Sequence, residues 1–182
     1  MTLTSDPAFR IRPLDRRDQA FLWDVLHVAL WDPPPAPLRP REILDHPEVR
    51  IYAEDWGHDG DVGVVGEIEG KPIGACWMRV LPDGKGLGYV DDETPQLGIA
   101  LLPGYQRKGY GEKLMRAALD AARARYRKVS LTVHPENPAI ALYRRCGFAE
   151  VERRRTYVLM VKPLGQMGDA TIAASDSHSP EQ

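Results

Sequence analysis

QLGIALLPGYQRKGYGEKLM, residues 96–115, decides the reading of this chain. Gln96 to Leu101 is an apolar run of strand length, and Pro103-Gly104 breaks it. From Tyr110 the period changes: Leu114, Met115, Ala118, Leu119, Ala122 and Tyr126 recur at three- and four-residue spacing, which predicts an amphipathic helix. Between strand and helix lies Gln106-Arg107-Lys108-Gly109-Tyr110-Gly111. The first N–H groups of a helix have no partner within it and stand at the positive end of its dipole, so they suit phosphate oxygens. Gly109 and Gly111 remove side chains that would block that approach, and Arg107 and Lys108 add charge. Taken alone, the segment reads equally as a glycine turn entering a helix. It carries neither a G-K-[ST] ending nor a third glycine at G-x-G-x-x-G spacing.

Outward from this stretch the chain alternates strand and helix signals. Phe9 to Pro13 reads as a strand, and Asp15 caps a helix with Asp18 in its first turn and Leu22, Trp23, Leu26, Leu30 and Trp31 behind it. The prolines at 33, 34, 35, 37 and 40 stop that helix, and Arg41 to Asp45 has room for one helical turn. Val62 to Ile68 and Ile73 to Val80 form a hairpin around Glu69-Gly70-Lys71-Pro72. Lys128 to Val133 is a strand, and Asn137-Pro138 opens a helix as N-cap and first residue, with Gly147 ending it. Phe148 to Glu152 pairs with Tyr157 to Val161. From Gly165 onward there are no aromatics and no Lys or Arg, which reads as a disordered tail over 165–182 after one domain over 1–164.

Composition narrows the function classes. Hydrophobic residues make up 43% and charged residues 27%, the profile of a soluble globular domain, and no apolar run reaches the ~20 residues of a membrane span. Residues 1–10 lack the apolar stretch of a secretory leader, so a cytoplasmic location is expected. Two cysteines, Cys76 and Cys146, give no disulfide framework and no metal cluster. The net charge of −2 hides an asymmetry: residues 1–103 carry 10 Lys and Arg against 18 Asp and Glu, residues 104–164 carry 14 against 5. A basic half suggests an anionic ligand. Aromatics are not interleaved with these cations as a nucleic-acid surface needs, so a small polyphosphate is expected instead.

Gln106 to Gly111 resembles the Q/R-x-x-G-x-G/A signature of the GCN5-related N-acetyltransferase (GNAT) superfamily. Asn137-Pro138-Ala139-Ile140-Ala141-Leu142-Tyr143-Arg144-Arg145-Cys146-Gly147-Phe148 is similar to its second signature, N-x-A-x-x-L-Y-x-x-x-G-F. Two signatures in the right order are far more specific than either alone. The resemblance implies an α/β fold: a mixed, mostly antiparallel sheet whose central strands, here 96–101 and 128–133, splay apart between flanking helices. It implies acetyl-CoA as acyl donor and no metal. Pantetheine would pair with the backbone of Ile99, Ala100 and Leu101 as an added strand. Gln106, Arg107, Lys108, Gly109, Tyr110, Gly111 and Glu112 would hold the pyrophosphate, Asn137 would face the cofactor arm, and Tyr143 the thioester sulfur. Relatives often dimerise, so a homodimer is an expectation.

Acetyl transfer to an amine needs a group to take the amine's proton, donors for the oxyanion and an acid for the leaving thiolate. Backbone N–H groups along 99–101 suit the oxyanion. The resemblance gives Tyr143 the acid role, whereas its spacing with Ala139, Leu142 and Cys146 also fits a core residue. Many relatives carry a glutamate where this chain has Gln96, and glutamine takes no proton. Glu93, with Asp91 and Asp92, lies just upstream and could work through water; a solvated acidic loop is the other reading. Trp23, His27 and Trp31, with Trp56 and Trp77, are candidates for an acceptor pocket or for the core, and His134 is a lone histidine after a strand. A primary amine, on a small molecule or a protein, is the expected acceptor. An idle acyl-CoA-binding module is the alternative.

Overall fold

The computed structural model describes residues 8–165; the tail expectation, apart from Gly165, lies outside them. Seven strands form one sheet in the order β1-β2-β3-β4-β5-β7-β6. They are β1 (Phe9–Pro13), β2 (Val62–Ile68), β3 (Lys71–Arg79), β4 (Gln96–Leu101), β5 (Lys128–Val133), β6 (Ala149–Arg154) and β7 (Tyr157–Pro163). Every neighbouring pair is antiparallel except β4 and β5, which run parallel and share a single pairing, Gln96 with Ser130. Beyond that pair the two strands diverge. This is the mixed, splayed sheet that the resemblance implies.

Two apolar layers cover the sheet. Helix α3 (Tyr110–Ala122) buries Leu114, Met115, Ala118, Leu119 and Ala122, its whole apolar stripe, against Val64, Cys76, Met78, Leu97 and Leu101. Fully burying a large apolar side chain of this kind stabilises by ~1.5–3 kcal/mol, so the stripe anchors the helix that carries the glycine loop. On the opposite face, α1 (Gln19–Ala29) packs Leu22, Val25 and Leu26 against Val65, Ala75 and Trp77. Trp77 reaches across β4 because residue 98 is glycine: a Cβ there would stand 2.6 Å from its ring.

The chain enters α1 as its sequence predicts. Asp15 caps a short 3-10 turn, Arg16–Asp18, in a capping box with Asp18, and α1 follows directly. Arg41–Asp45 is a second 3-10 turn, and α2 (Pro47–Arg50) follows it. The hairpin differs from expectation by two residues. Positive φ at Glu69 and Gly70 closes it within those two residues, so Lys71 and Pro72 join β3. Helix α4 (Ile140–Arg145) starts later than Asn137-Pro138 suggested, because the Asn137 side chain accepts the Ala139 N–H at 2.9 Å and holds a turn ahead of the helix.

Arg79 and Asp61 pin the loop that follows α2 to the sheet. Both side chains are buried, with Nε to Oδ1 at 2.9 Å and Nη2 to Oδ2 at 2.7 Å. Burial pushes the Asp61 carboxyl up, but the Arg79 hydrogen bonds and the N–H groups of Gly57 and His58 outweigh it and hold it below the usual range. Its stabilisation is therefore present above the unfolded pKa of ~3.9 and lost as pH falls through the lower folded value. Asp61→Ala leaves Arg79 buried and unpaired, which is expected to cost roughly 3–5 kcal/mol in urea unfolding at pH 7. That loss should shrink at pH values below the folded carboxyl's pKa.

Candidate active site

The splay leaves part of β4 without a partner. Leu102 N–H bonds Ile73 O at 2.8 Å, and antiparallel alternation then directs the backbone of Ala100 and Gly98 toward β3. The polar groups of Ile99 and Leu101 face the other way. Pro95 O, which accepts Ser130 N–H at 3.0 Å, confirms that the odd-numbered residues face β5. Gln106 Nε2 donates to Leu101 O at 3.0 Å. The N–H of Ile99 and Leu101 and the carbonyl of Ile99 thus form an edge onto the gap. Ala100 reaches this region with its side chain, which packs on the α1 face.

At the end of this edge stands the glycine loop. Gly109 precedes α3 at φ 86°, the left-handed region, with nothing within 4 Å of a Cβ position. Arg107 and Lys108 are exposed and form no ion pair among the described residues. Tyr110 is buried and stacks on Phe9 with centroids 4.5 Å apart, so its backbone is what it offers a ligand. Glu112 binds Arg116 at 2.8 Å and, at 3.6 Å, Arg145 from α4. A Cβ on Gly111 would sit 3.5 Å from Leu142 and 3.9 Å from Leu101, so loop, β4 and α4 converge here. These residues fit a diphosphate followed by an extended arm.

Tyr143 comes from α4 onto this same face, with Phe148 edge-on at 6.3 Å. Burial, then the neighbouring Cys76 thiol, push its hydroxyl well above the usual tyrosine range. No hydrogen bond among the described residues holds that hydroxyl, and no fully buried polar side-chain atom among them lacks one, so the oxygen is not completely sealed from solvent although the residue is buried. Cys76 is wholly buried and its thiol is likewise pushed up, which removes it as a nucleophile.

Gln96 is buried and fully engaged. Its Oε1 accepts from Tyr52 Oη at 3.1 Å and Gly88 N at 3.0 Å, and its Nε2 donates to Lys85 O at 2.8 Å. Ser130 Oγ donates to Gly88 O at 2.6 Å. The Gly88 segment therefore staples β4 to β5 where their pairing ends, and Arg154 adds bonds to the carbonyls of Leu87 and Tyr89. A carboxylate at 96 would face the Lys85 carbonyl without a proton to donate. Gln96→Glu is expected to lose about 2 kcal/mol or more of stability, read by urea unfolding, and to gain no turnover.

Of the three upstream carboxylates, Asp91 is bound to Lys128 at 2.8 Å and Thr94 at 2.7 Å, and these bonds, Lys128's first, hold its pKa at about 2. Asp92 accepts from Tyr89 Oη at 2.8 Å. Glu93 is exposed and its carboxylate has no partner among the described residues, but it precedes the Gln96–Ser130 pair, on the closed side of the junction. Trp56 and Trp77 belong to the core, and Trp23 lies under Arg50 at 5.3 Å. Trp31 and His134 come together instead, with centroids 5.7 Å apart.

The Acetyltransferase (GNAT) family matches residues 23–148 of the chain. The chain belongs to that family. Streptothricin acetyltransferase of Streptomyces lavendulae is 35% identical over 119 residues, covering 60% of this chain and 61% of that protein. An N-alpha-acetyltransferase of Sulfurisphaera tokodaii is 33% identical over 99 residues, 51% and 59% of the two chains. The chain thus spans about three fifths of the length of these curated relatives. Among solved structures, yncA of Salmonella typhimurium, solved with acetyl-CoA, superposes with a TM-score of 0.63 at 20% identity over 94% of this chain and 99% of that one. This last likeness shows the GNAT fold. No described helix is long and apolar enough to cross a membrane, and no described group of three or more His, Cys, Asp and Glu is placed to hold a metal ion.

Proposed function

We propose that the chain transfers the acetyl group of acetyl-CoA directly to a primary amine. The unpaired β4 edge beyond Gln96, ending at the Gly109 loop, is the observation that carries the reading. Acetyl-CoA supplies an activated acyl group when bound. Ile99 and Leu101 orient the pantetheine arm through their free backbone groups, and an N–H of this edge stands ready for the oxyanion; one such donor typically lowers a barrier by ~3 kcal/mol. The N–H groups from Gly109 to Glu112, with Arg107 and Lys108, hold the diphosphate, and Asn137 sets the turn that aims α4. Tyr143 Oη meets the developing thiolate. Proton removal from the amine runs through water; Glu93, whose carboxylate has no partner among the described residues, lies on the closed side of the junction and is reached only along a chain of waters. Arg79 and Gln96 keep the frame rigid and take no proton.

The two relatives are named a streptothricin acetyltransferase and an N-alpha-acetyltransferase, so small-molecule amines and peptide N-termini both belong in the test. The chain is incubated with acetyl-CoA and, in parallel, streptothricin, spermidine, phenethylamine and N-terminal peptides. Released thiol and product mass are followed. Amine-dependent release with a product 42 Da heavier, about one acetyl group, supports transfer. Tight acetyl-CoA binding with no amine-dependent release would favour the idle binding module. A reducing cytoplasm is the compartment that suits its two buried free cysteines.

A further inference from the structure

On the α1 face, past the last β4–β5 pair, three half-buried rings from distant parts of the chain meet. Trp31, just beyond α1, lies 5.7 Å from His134 at the end of β5, and His134 stands edge-on to Tyr157, the first residue of β7, at 6.1 Å. Strand alternation explains the face. Val129, Leu131 and Val133 point into the α3 layer with Tyr143, so Ser130, Thr132 and His134 point the other way. Ligand arms held by the Gly109 loop approach from the α3 layer, which leaves this aromatic wall to the second reactant.

Most of the charge around the cluster is paired. Both oxygens of Asp32 accept from Arg39, at 2.6 Å and 2.7 Å, and the Arg39 carbonyl is fixed by His27 Nε2 at 2.6 Å. At the β6–β7 turn, Glu152 is bound to Arg154 at 2.6 Å and Glu48 of α2 stands 3.9 Å from Arg155. Glu136 N–H donates to His134 Nδ1 at 3.2 Å, and the exposed Glu136 carboxylate stands 3.9 Å from the same nitrogen. A polycation needs several uncommitted carboxylates; the half-buried Asp32 is bound on both oxygens, which leaves the single exposed Glu136 beside the rings. What stays available is aromatic surface, which attracts a single ammonium and an apolar body together.

We propose that Trp31, His134 and Tyr157 form the acceptor subsite, and that it takes a primary amine with one positive charge on an aromatic or apolar body rather than a linear polyamine. The assignment rests on the acetyl-transfer reading above. Phenethylamine and spermidine are the probes, with the full chain and acetyl-CoA. The expected kcat/KM for phenethylamine exceeds that for spermidine by about tenfold or more, the scale of one desolvated cation–aromatic contact. Trp31→Ala should lower the phenethylamine value by a similar factor through its KM, leave the acetyl-CoA KM alone, and be rescued by Trp31→Phe. Preference for spermidine, or wild-type kinetics in a folded Trp31→Ala, overturns the subsite.

A binding signal separates this from the chemistry: the difference in tryptophan fluorescence between wild type and Trp31→Phe as phenethylamine is titrated in the presence of CoA. A Trp31-dependent response without turnover overturns acetyl transfer and keeps the subsite. Turnover of phenethylamine with no Trp31 dependence in either signal overturns the subsite and keeps the transfer. Neither turnover nor response overturns both.

Discussion

Gly111→Val is expected to bind acetyl-CoA on the order of 100-fold more weakly while unfolding no more easily than wild type. The two halves of that result have separate causes. A Cβ at 111 would make only ordinary contacts, 3.5 Å to Leu142 and 3.9 Å to Leu101, and residue 111 is not among those at positive φ. Within α3, valine is also a better helix former than glycine. The branched side chain nevertheless enters the space between the loop, Leu142 and Leu101, which the proposed diphosphate and its arm would share. Losing two hydrogen bonds to a charged group at ~1.5 kcal/mol each amounts to about two decades of affinity. Calorimetry with acetyl-CoA, beside a melting curve, reads both halves. Wild-type affinity in the folded variant would remove the diphosphate from this loop. Gly109→Val differs in kind, because φ 86° there costs a valine ~1–2 kcal/mol in the protein without ligand.

The elements that frame the proposed donor site were legible because each is local in sequence. β2, β4 and β5 have the bounds their apolar runs suggest, each run being closed by Pro, Gly or a charged turn. The glycine loop reads from spacing as a turn entering a helix, and only the family resemblance gives it a diphosphate. What lay beyond the sequence is side-chain direction across long separations. Gln96 could be seen only as a missing carboxylate; that its amide proton is needed by Lys85 O follows from the loop lying over it. Ser130, a wholly buried hydroxyl between Val129 and Leu131, was the available sign of the Gly88 staple. α2 is four residues long, too short for any periodicity to register. Trp31, His134 and Tyr157 come from three separate elements, and no spacing links them. The tryptophans sorted themselves by neighbours rather than by position: Trp77 rests on Gly98, whereas Trp31 lies past the helix end beside His134.

Tyr143→Phe is the substitution that divides an enzyme from a binding module. The ring stays, so its packing against Phe148 stays, and the hydroxyl has no protein partner among the described residues to lose. Unfolding in urea and affinity for acetyl-CoA should therefore match wild type. Turnover should not. A free thiol has a pKa near ~8.5 and a tyrosine near ~10, and burial raises Tyr143 further. Complete proton transfer from this hydroxyl to the leaving thiolate thus runs uphill. Its larger contribution is a hydrogen bond to sulfur that strengthens as charge develops, with solvent completing the protonation. Removing one preorganised donor to developing charge typically costs ~10²–10³ in kcat. Because such a donor is met chiefly in the transition state, kcat and kcat/KM should fall together. A hydroxyl kept protonated across neutral pH also predicts that the wild-type rate shows no break assignable to tyrosine between pH 6 and about 9. Full turnover in the folded phenylalanine variant would take the thiolate away from Tyr143 and give its proton to water from the start.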